Sequence, residues 1–243
     1  MTPAANVGAS ERPAMRCAVV GASGYVGGEL VRLLLGHPGV SLVAVTARET
    51  AGRPLAAVHP HLAGVDMKIG ELEDVRDAET VFLALPNGES MNVVGRFADR
   101  SIVDLSADFR LRSHDEFAAY YRAKHTCAER IPEFTYGQPE LFRSRLREAR
   151  HIAAPGCFAT AVQLALAPVV DRGLAESIVV NAVTGSSGSG ARPKEQAHHP
   201  FRAEGYFAYS PLTHRHVPEI RQAIADATGR TIDFVFQPHS GPF

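Results

Sequence analysis

One stretch constrains the fold of this chain more than any other. Met15-Arg16-Cys17-Ala18-Val19-Val20 runs without a break into Gly21-Ala22-Ser23-Gly24-Tyr25-Val26-Gly27-Gly28-Glu29. A short β-rich run that stops on glycine, followed by apolar residues at helical spacing (Val26, Leu30, Leu33, Leu34), predicts a strand, a tight turn and a helix. Stop signals follow at Gly36-His37-Pro38-Gly39, and Val40 to Val45 reads as a second, buried strand. Strand, turn, helix and strand make a βαβ unit, which commits the chain to an α/β fold with parallel strands.

The glycines of that turn are spaced GxxGxxG (Gly21, Gly24, Gly27). Glycine lets the backbone turn sharply and approach a pyrophosphate, while the helix N-terminus faces the negative charge. Gly21, Ser23, Gly24, Tyr25, Val26 and Gly27 are therefore the expected dinucleotide-binding residues of a Rossmann-type domain over 15–153. The second strand runs into Thr46-Ala47-Arg48, with Glu49 just beyond. A hydroxyl and an arginine at that strand end suit a 2′-phosphate, so Thr46 and Arg48 point to NADP(H). Residues 51–79, with His59-Pro60-His61, read as loop. Thr80 to Leu85 is a third strand, closing at Pro86-Asn87-Gly88, and Ile102 to Leu105 a fourth, ending in Ser106-Ala107-Asp108-Phe109-Arg110. Ligands of open α/β sheets sit beyond the carboxyl ends of strands. Pro86, Asn87 and Gly88 are thus cofactor candidates, and Ser106 and Arg110 pocket candidates.

Beyond Ser113 the pattern changes. Helical stretches over 115–124 and 139–147 lead to His151-Ile152-Ala153-Ala154-Pro155-Gly156-Cys157-Phe158-Ala159-Thr160 and an alanine-rich helix over 161–170. Cys157 falls at the start of that helix, where unpaired N–H groups and the helix dipole favour a thiolate. Ser177 to Thr184 reads as a strand entering Gly185-Ser186-Ser187-Gly188-Ser189-Gly190-Ala191, where Ser187 and Gly188 are candidates to hold an anion through backbone N–H groups. Residues 192–216 show no clear period. A helix over 217–228 and a strand over 231–236 close the pattern. A cysteine nucleophile needs a proton shuttle, and His214-Arg215-His216 offers two imidazoles, which in a strand would point the same way. With no third ligand at usable spacing, zinc is the weaker reading and no metal is expected.

Composition narrows the partners. Lys and Arg total 25 against 26 Asp and Glu, for a net charge of −1, so nothing points to nucleic acid or an anionic membrane. No apolar run approaches a bilayer span. Residues 1–14 read as a frayed tail without a signal-peptide core. Three cysteines (Cys17, Cys127, Cys157) without pairing motifs fit reduced thiols in the cytoplasm. A nicotinamide cofactor with a cysteine nucleophile points to chemistry at the aldehyde level, in which a thiolate takes up an acyl group and hydride reduces the thioester.

The stretches GASGYVGGELVRLLLGHP (21–38), FLALPNG (82–88), DLSADFRL (104–111), YGQPEL (136–141), APGCFATA (154–161) and HRHVPEI (214–220) resemble the N-acetyl-γ-glutamyl-phosphate reductases of the semialdehyde dehydrogenase family. The resemblance implies a Rossmann-type domain followed by an α+β catalytic and dimerisation domain over 154–243, and a homo-oligomer acting on a small acyl phosphate. It also implies Cys157 as the acylated nucleophile, His214 ahead of His216 as acid/base, and Arg110 as a substrate residue, with Arg215 a second arginine able to hold an anionic group. His198-His199-Pro200 and Phe201-Arg202-Ala203-Glu204 resemble the lysine-biosynthesis branch, which reduces an aminoadipyl phosphate on a carrier protein. Members of the family continue beyond the point corresponding to Phe243, so the catalytic domain is expected to be incomplete. Its last strand is then expected to lack partners, and a catalytically inactive dinucleotide-binding fragment is the third reading.

Overall fold

Burial is continuous along Cys17-Ala18-Val19-Val20, the mark of a strand covered on both faces and paired on both edges. In the computed structural model, which describes residues 14–195 and 198–243, this run is β1 (Met15–Val20). The tail expected over 1–14 lies outside the described residues apart from Ala14. Contacts divide the chain into two units, one ending at Ala84 and the other running from Leu85 to Phe243.

In the first unit β1 is followed by α1 (Tyr25–Leu35), β2 (Val40–Thr46), the single turn α2 (Leu55–Val58) and β3 (Thr80–Leu83). β1 lies between β2 and β3 and is parallel to both. The helix differs from expectation in the face it buries. Gly27, Gly28, Val31 and Leu34 face inward, whereas Val26 and Leu33 are exposed. Two glycines allow a closer approach than any side chain would. A Cβ at Gly27 would overlap the carbonyl oxygen of Gly21, and one at Gly28 would overlap the His59 ring. That histidine, in a segment read as loop, is buried and donates from Nε2 to the Ala22 carbonyl at 2.6 Å, bracing the turn from beneath.

The second unit contains α3 (Ser90–Val93), β4 (Ser101–Asp104), α4 (His114–Tyr121), β5 (Phe134–Tyr136), α5 (Pro139–Glu148) and β6 (His151–Ala153). They are followed by α6 (Cys157–Asp171), β7 (Ser177–Thr184), α7 (His199–Arg202), β8 (Phe207–Ala208), α8 (His216–Thr228) and β9 (Asp233–Ser240). β6 pairs in parallel with β4 and β5. α4 starts where the Ser113 hydroxyl accepts the Glu116 N–H, and it stops at Arg122 in a left-handed conformation.

The last strand corrects an expectation. β9 is paired on both sides, in parallel with β7 over eight residues and antiparallel with β8. The short β8 lies inside the segment that showed no period. Phe234 and Phe236 of β9 pack with Phe158, Val162, Leu166 and Val170 of α6 and Val217, Ile220 and Ile224 of α8. Each such burial contributes roughly 2–3 kcal/mol, and together they tie the two helices that carry the site to one sheet. No helix among the described residues is long and apolar enough to cross a membrane.

Candidate active site

Cys157 is the first residue of α6, preceded by Gly156 in an extended conformation with no side-chain cap. The first helical bond runs from the Thr160 N–H to the Gly156 carbonyl, so the first-turn N–H groups have no acceptor within the helix. They are left to face the thiol region with the positive end of the helix dipole. Exposure separates the three cysteines. Cys17 and Cys127 are buried, and burial pushes the Cys17 thiol up to about 11, whereas Cys157 is exposed. Of these three thiols, only Cys157 combines access with a place at a helix start.

Beneath it is a network that the sequence reading did not pick out. Glu219, on α8 and fully buried, accepts the Gly156 N–H at 2.8 Å and the Tyr136 hydroxyl at 2.7 Å through one oxygen. Its other oxygen is 3.6 Å from Nη1 of buried Arg110. Tyr136 in turn accepts from the Gln163 amide of α6 at 2.8 Å. Burial and the neighbouring carboxylate push the Tyr136 phenol well up, so it serves as a donor. The signal was present in HRHVPEI, because a carboxylate three residues after His216 on a helix shares its face.

His214, Arg215 and His216 bracket the start of α8 rather than forming a strand. The His216 N–H donates to Nδ1 of His214 at 3.2 Å, which places the His214 proton on Nε2. The His214 ring sits among Phe158, Tyr209 and Phe236. His216 is wedged against the backbone of the cysteine helix, since a Cβ at Gly156 would overlap its Nε2. Burial, reinforced by Arg215, takes His214 down to about 4. Burial with His214, Arg110 and Arg215 nearby takes His216 to about 2. Both rings are neutral near pH 7. Arg215 itself is exposed, its guanidinium 5.9 Å from the Tyr121 ring centroid.

The other predicted residues are distributed unevenly. Arg110 is turned inward, with Nε donating to the Ala154 carbonyl at 2.7 Å and Nη2 to the Leu105 carbonyl at 2.8 Å. Ser106 is buried, and its hydroxyl donates at 2.7 Å to Asp104, whose carboxyl burial raises to about 6 against the opposing bonds of Ser106. Asn87 accepts the Ala107 N–H, and Gly88, at φ +88°, donates to buried Asp108 at 2.7 Å. This aspartate also accepts from Met91 and ties the Pro86-Asn87-Gly88 turn to the end of β4. Ser187 and Gly188 lie in a single 3₁₀ turn, Ser186–Ser189, whose contacts run to Thr184 and Phe243.

In the first unit, the N–H groups of Gly21 and Ala22 donate to the Thr46 carbonyl at 2.8 and 2.9 Å. Thr46 thus holds the turn through its backbone, and its side chain is buried. Gly21 has φ +91°, and α1 follows Gly24 with neither a side-chain cap nor an acidic residue in its first turn. Tyr25 and Val26 flank that open start, and Arg48 is exposed just past β2. A backbone donor cluster kept clear of side chains and of negative charge fits a dinucleotide pyrophosphate.

Comparison with known proteins agrees with this architecture. Residues 16–149 match the family model described as semialdehyde dehydrogenase, NAD binding domain, and residues 157–243 match semialdehyde dehydrogenase, dimerisation domain. An N-acetyl-gamma-glutamyl-phosphate reductase of Magnetococcus marinus is 40% identical, the match covering 94% of this chain and 68% of that protein. One from Rhodospirillum rubrum is 41% identical over 96% and 69%. A [LysW]-L-2-aminoadipate/[LysW]-L-glutamate phosphate reductase of Saccharolobus solfataricus is 39% identical over 93% and 66%. The chain thus spans about two thirds of the length of these relatives. Among solved structures, an aspartate semialdehyde dehydrogenase II of Vibrio cholerae has the same fold, with a TM-score of 0.70 at 14% identity, covering 95% of this chain and 71% of that one.

Proposed function

Because the chain belongs to the semialdehyde dehydrogenase family, we propose that it reduces N-acetyl-γ-glutamyl phosphate to N-acetylglutamate 5-semialdehyde and phosphate with NADPH, in arginine biosynthesis. The observation that carries the reaction type is Cys157, exposed at the start of α6 with the first-turn N–H groups around it. The substrate is carried by the names of the relatives at 40 and 41% identity.

The chemistry divides among the chain's own groups. The Cys157 thiolate attacks the acyl carbon, a C–S bond forms, and the C–O bond to phosphate breaks with its electron pair leaving on phosphate. The resulting thioester is held at the helix start. A bound nicotinamide dinucleotide supplies the hydride that reduces it. His214, with its proton on Nε2, donates a hydrogen bond to the carbonyl oxygen as negative charge grows there. His216, neutral and next to Arg110, keeps Gly156 in place. The alkoxide then expels the thiolate, giving aldehyde and free Cys157. Exposed Arg215 is the cation available to the substrate's phosphate or carboxylate, since Arg110 is engaged with Glu219 and two carbonyls. The active form is a homo-oligomer in the cytoplasm, where its thiols stay reduced.

The relatives of the carrier-linked branch, at 39 and 40% identity, favour one second reading, reduction of an aminoadipyl phosphate on a carrier protein. Rates on the two acyl phosphates, measured side by side, separate them. The acetylglutamyl substrate is expected to be turned over at least about tenfold faster in kcat/KM, and the reverse order assigns the enzyme to the other branch. For the cofactor, Arg48→Ala is expected to weaken NADPH by about tenfold and NADH by less than about twofold. Equal losses, read by fluorescence titration, would remove Arg48 as the reader of the 2′-phosphate.

A further inference from the structure

Glu219 is a carboxylate at zero exposure on the buried side of α8, which it shares with His216 and with the apolar Val217, Ile220, Ala223 and Ile224. An apolar residue there would avoid the desolvation of a charge, so the carboxylate must act through its partners. Three groups converge on it: the Gly156 N–H, the Tyr136 hydroxyl and the Arg110 guanidinium. Gly156 is the residue from which α6 starts, immediately before Cys157. One turn earlier on α8, His216 closes against the Cα side of the same glycine, and Nη1 of Arg110 is 2.9 Å from where a Gly156 Cβ would be. One helix therefore clasps the entry to the cysteine helix from two sides, and a buried cation lies beside it with its counter-charge on that same helix.

We infer that Glu219 is a positioning residue for Cys157: it fixes the amide at which the cysteine helix begins and balances the Arg110 charge beside it. The inference rests on Cys157 as the nucleophile. The charged and titratable groups about this helix start come from three directions. Arg110, Tyr136 and Glu219 lie beneath it with Tyr121 and Asp104 acting on Arg110, His214, Arg215 and His216 come from the start of α8, and Tyr209 lies beside His214. Arg110 and Arg215 are the cations of this set, and Glu219 is the carboxylate within it that both bonds the helix start and faces Arg110. Glu219→Gln retains an acceptor for Gly156 and removes the carboxylate nearest the Arg110 guanidinium, leaving Asp104 as the remaining carboxylate that acts on it.

The test is the pH dependence of Cys157 alkylation by iodoacetamide in the full chain, with Cys157→Ser giving the background from the buried thiols. Glu219→Gln is expected to move the midpoint of thiolate formation down by about one pH unit. Tyr136→Phe, which removes a donor but no charge, should lower the melting temperature and leave the midpoint unmoved. A wild-type midpoint in Glu219→Gln overturns the inference and reduces Glu219 to a structural group. Should that variant not fold, Arg110→Gln reads the same balance with opposite sign, and a midpoint that fails to rise is equally decisive. The labelling needs no turnover, so this outcome is separate from that of the nucleophile itself, which is judged by the activity of Cys157→Ser.

Discussion

Cys157→Ser is expected to abolish reduction of the acyl phosphate, lowering kcat by at least about 10³-fold, with dinucleotide affinity unchanged. A serine at the first position of α6 keeps the geometry and loses the nucleophile. Its hydroxyl ionises far above neutral pH, and the helix start that favours a thiolate cannot bring an alkoxide into range. Neither neighbouring histidine is a base able to activate it, because His214 has its Nδ1 lone pair occupied by the His216 N–H and His216 is driven to about 2 by burial and its neighbours. Single-turnover experiments sharpen the result. Wild type should release phosphate in a burst equal to the enzyme concentration before dinucleotide is added, and the variant should release none. Activity within tenfold of wild type in Cys157→Ser would sink the covalent route.

The second large effect is in the first unit. Gly27→Ala should destabilise the protein by about 1–3 kcal/mol and eliminate measurable dinucleotide binding. The added methyl would meet the carbonyl oxygen of Gly21 and the Cα of Ala22, both backbone atoms that cannot rotate away. Relief requires α1 to lift from β1, which spoils the donor cluster at Gly24. Gly24→Ala is the matching control, because its Cβ would meet nothing closer than the Gly21 carbonyl oxygen at 3.9 Å. That variant should melt near wild type, so any loss of affinity in it reports a ligand approaching the backbone there. Normal binding by Gly27→Ala would show that the turn is not the dinucleotide site.

Much of this could be seen in the residues alone. β1 and β7 occupy the predicted spans, Met15–Val20 and Ser177–Thr184, because β-rich runs ended by glycine leave few alternatives. Cys157 lies at the helix start as expected, since Pro155-Gly156 cannot continue a strand into the alanine-rich run. The misses share one cause. Val26 and Leu33 fit a helical stripe, but the stripe is chosen by what packs beneath, and there glycine packs closest. The pairing of β9 on both sides was hidden because β8 is two residues long and carries no period of its own.

Local chemistry alone therefore determined the strand–glycine–helix opening, the cysteine at a helix N-terminus and the two histidines that accompany it. These depend on backbone preferences and side-chain types within a few residues of one another. Only the tertiary structure decided the role of each group. It turned Arg110 inward, divided the two histidines between a fixed Nε2 donor and a wedge at Gly156, and brought Glu219 to the Gly156 amide and the Tyr136 hydroxyl across 63 and 83 residues of chain. Those assignments depend on burial and on partners far apart in sequence, and neither exists until α6 and α8 pack on the sheet that β7 and β9 form.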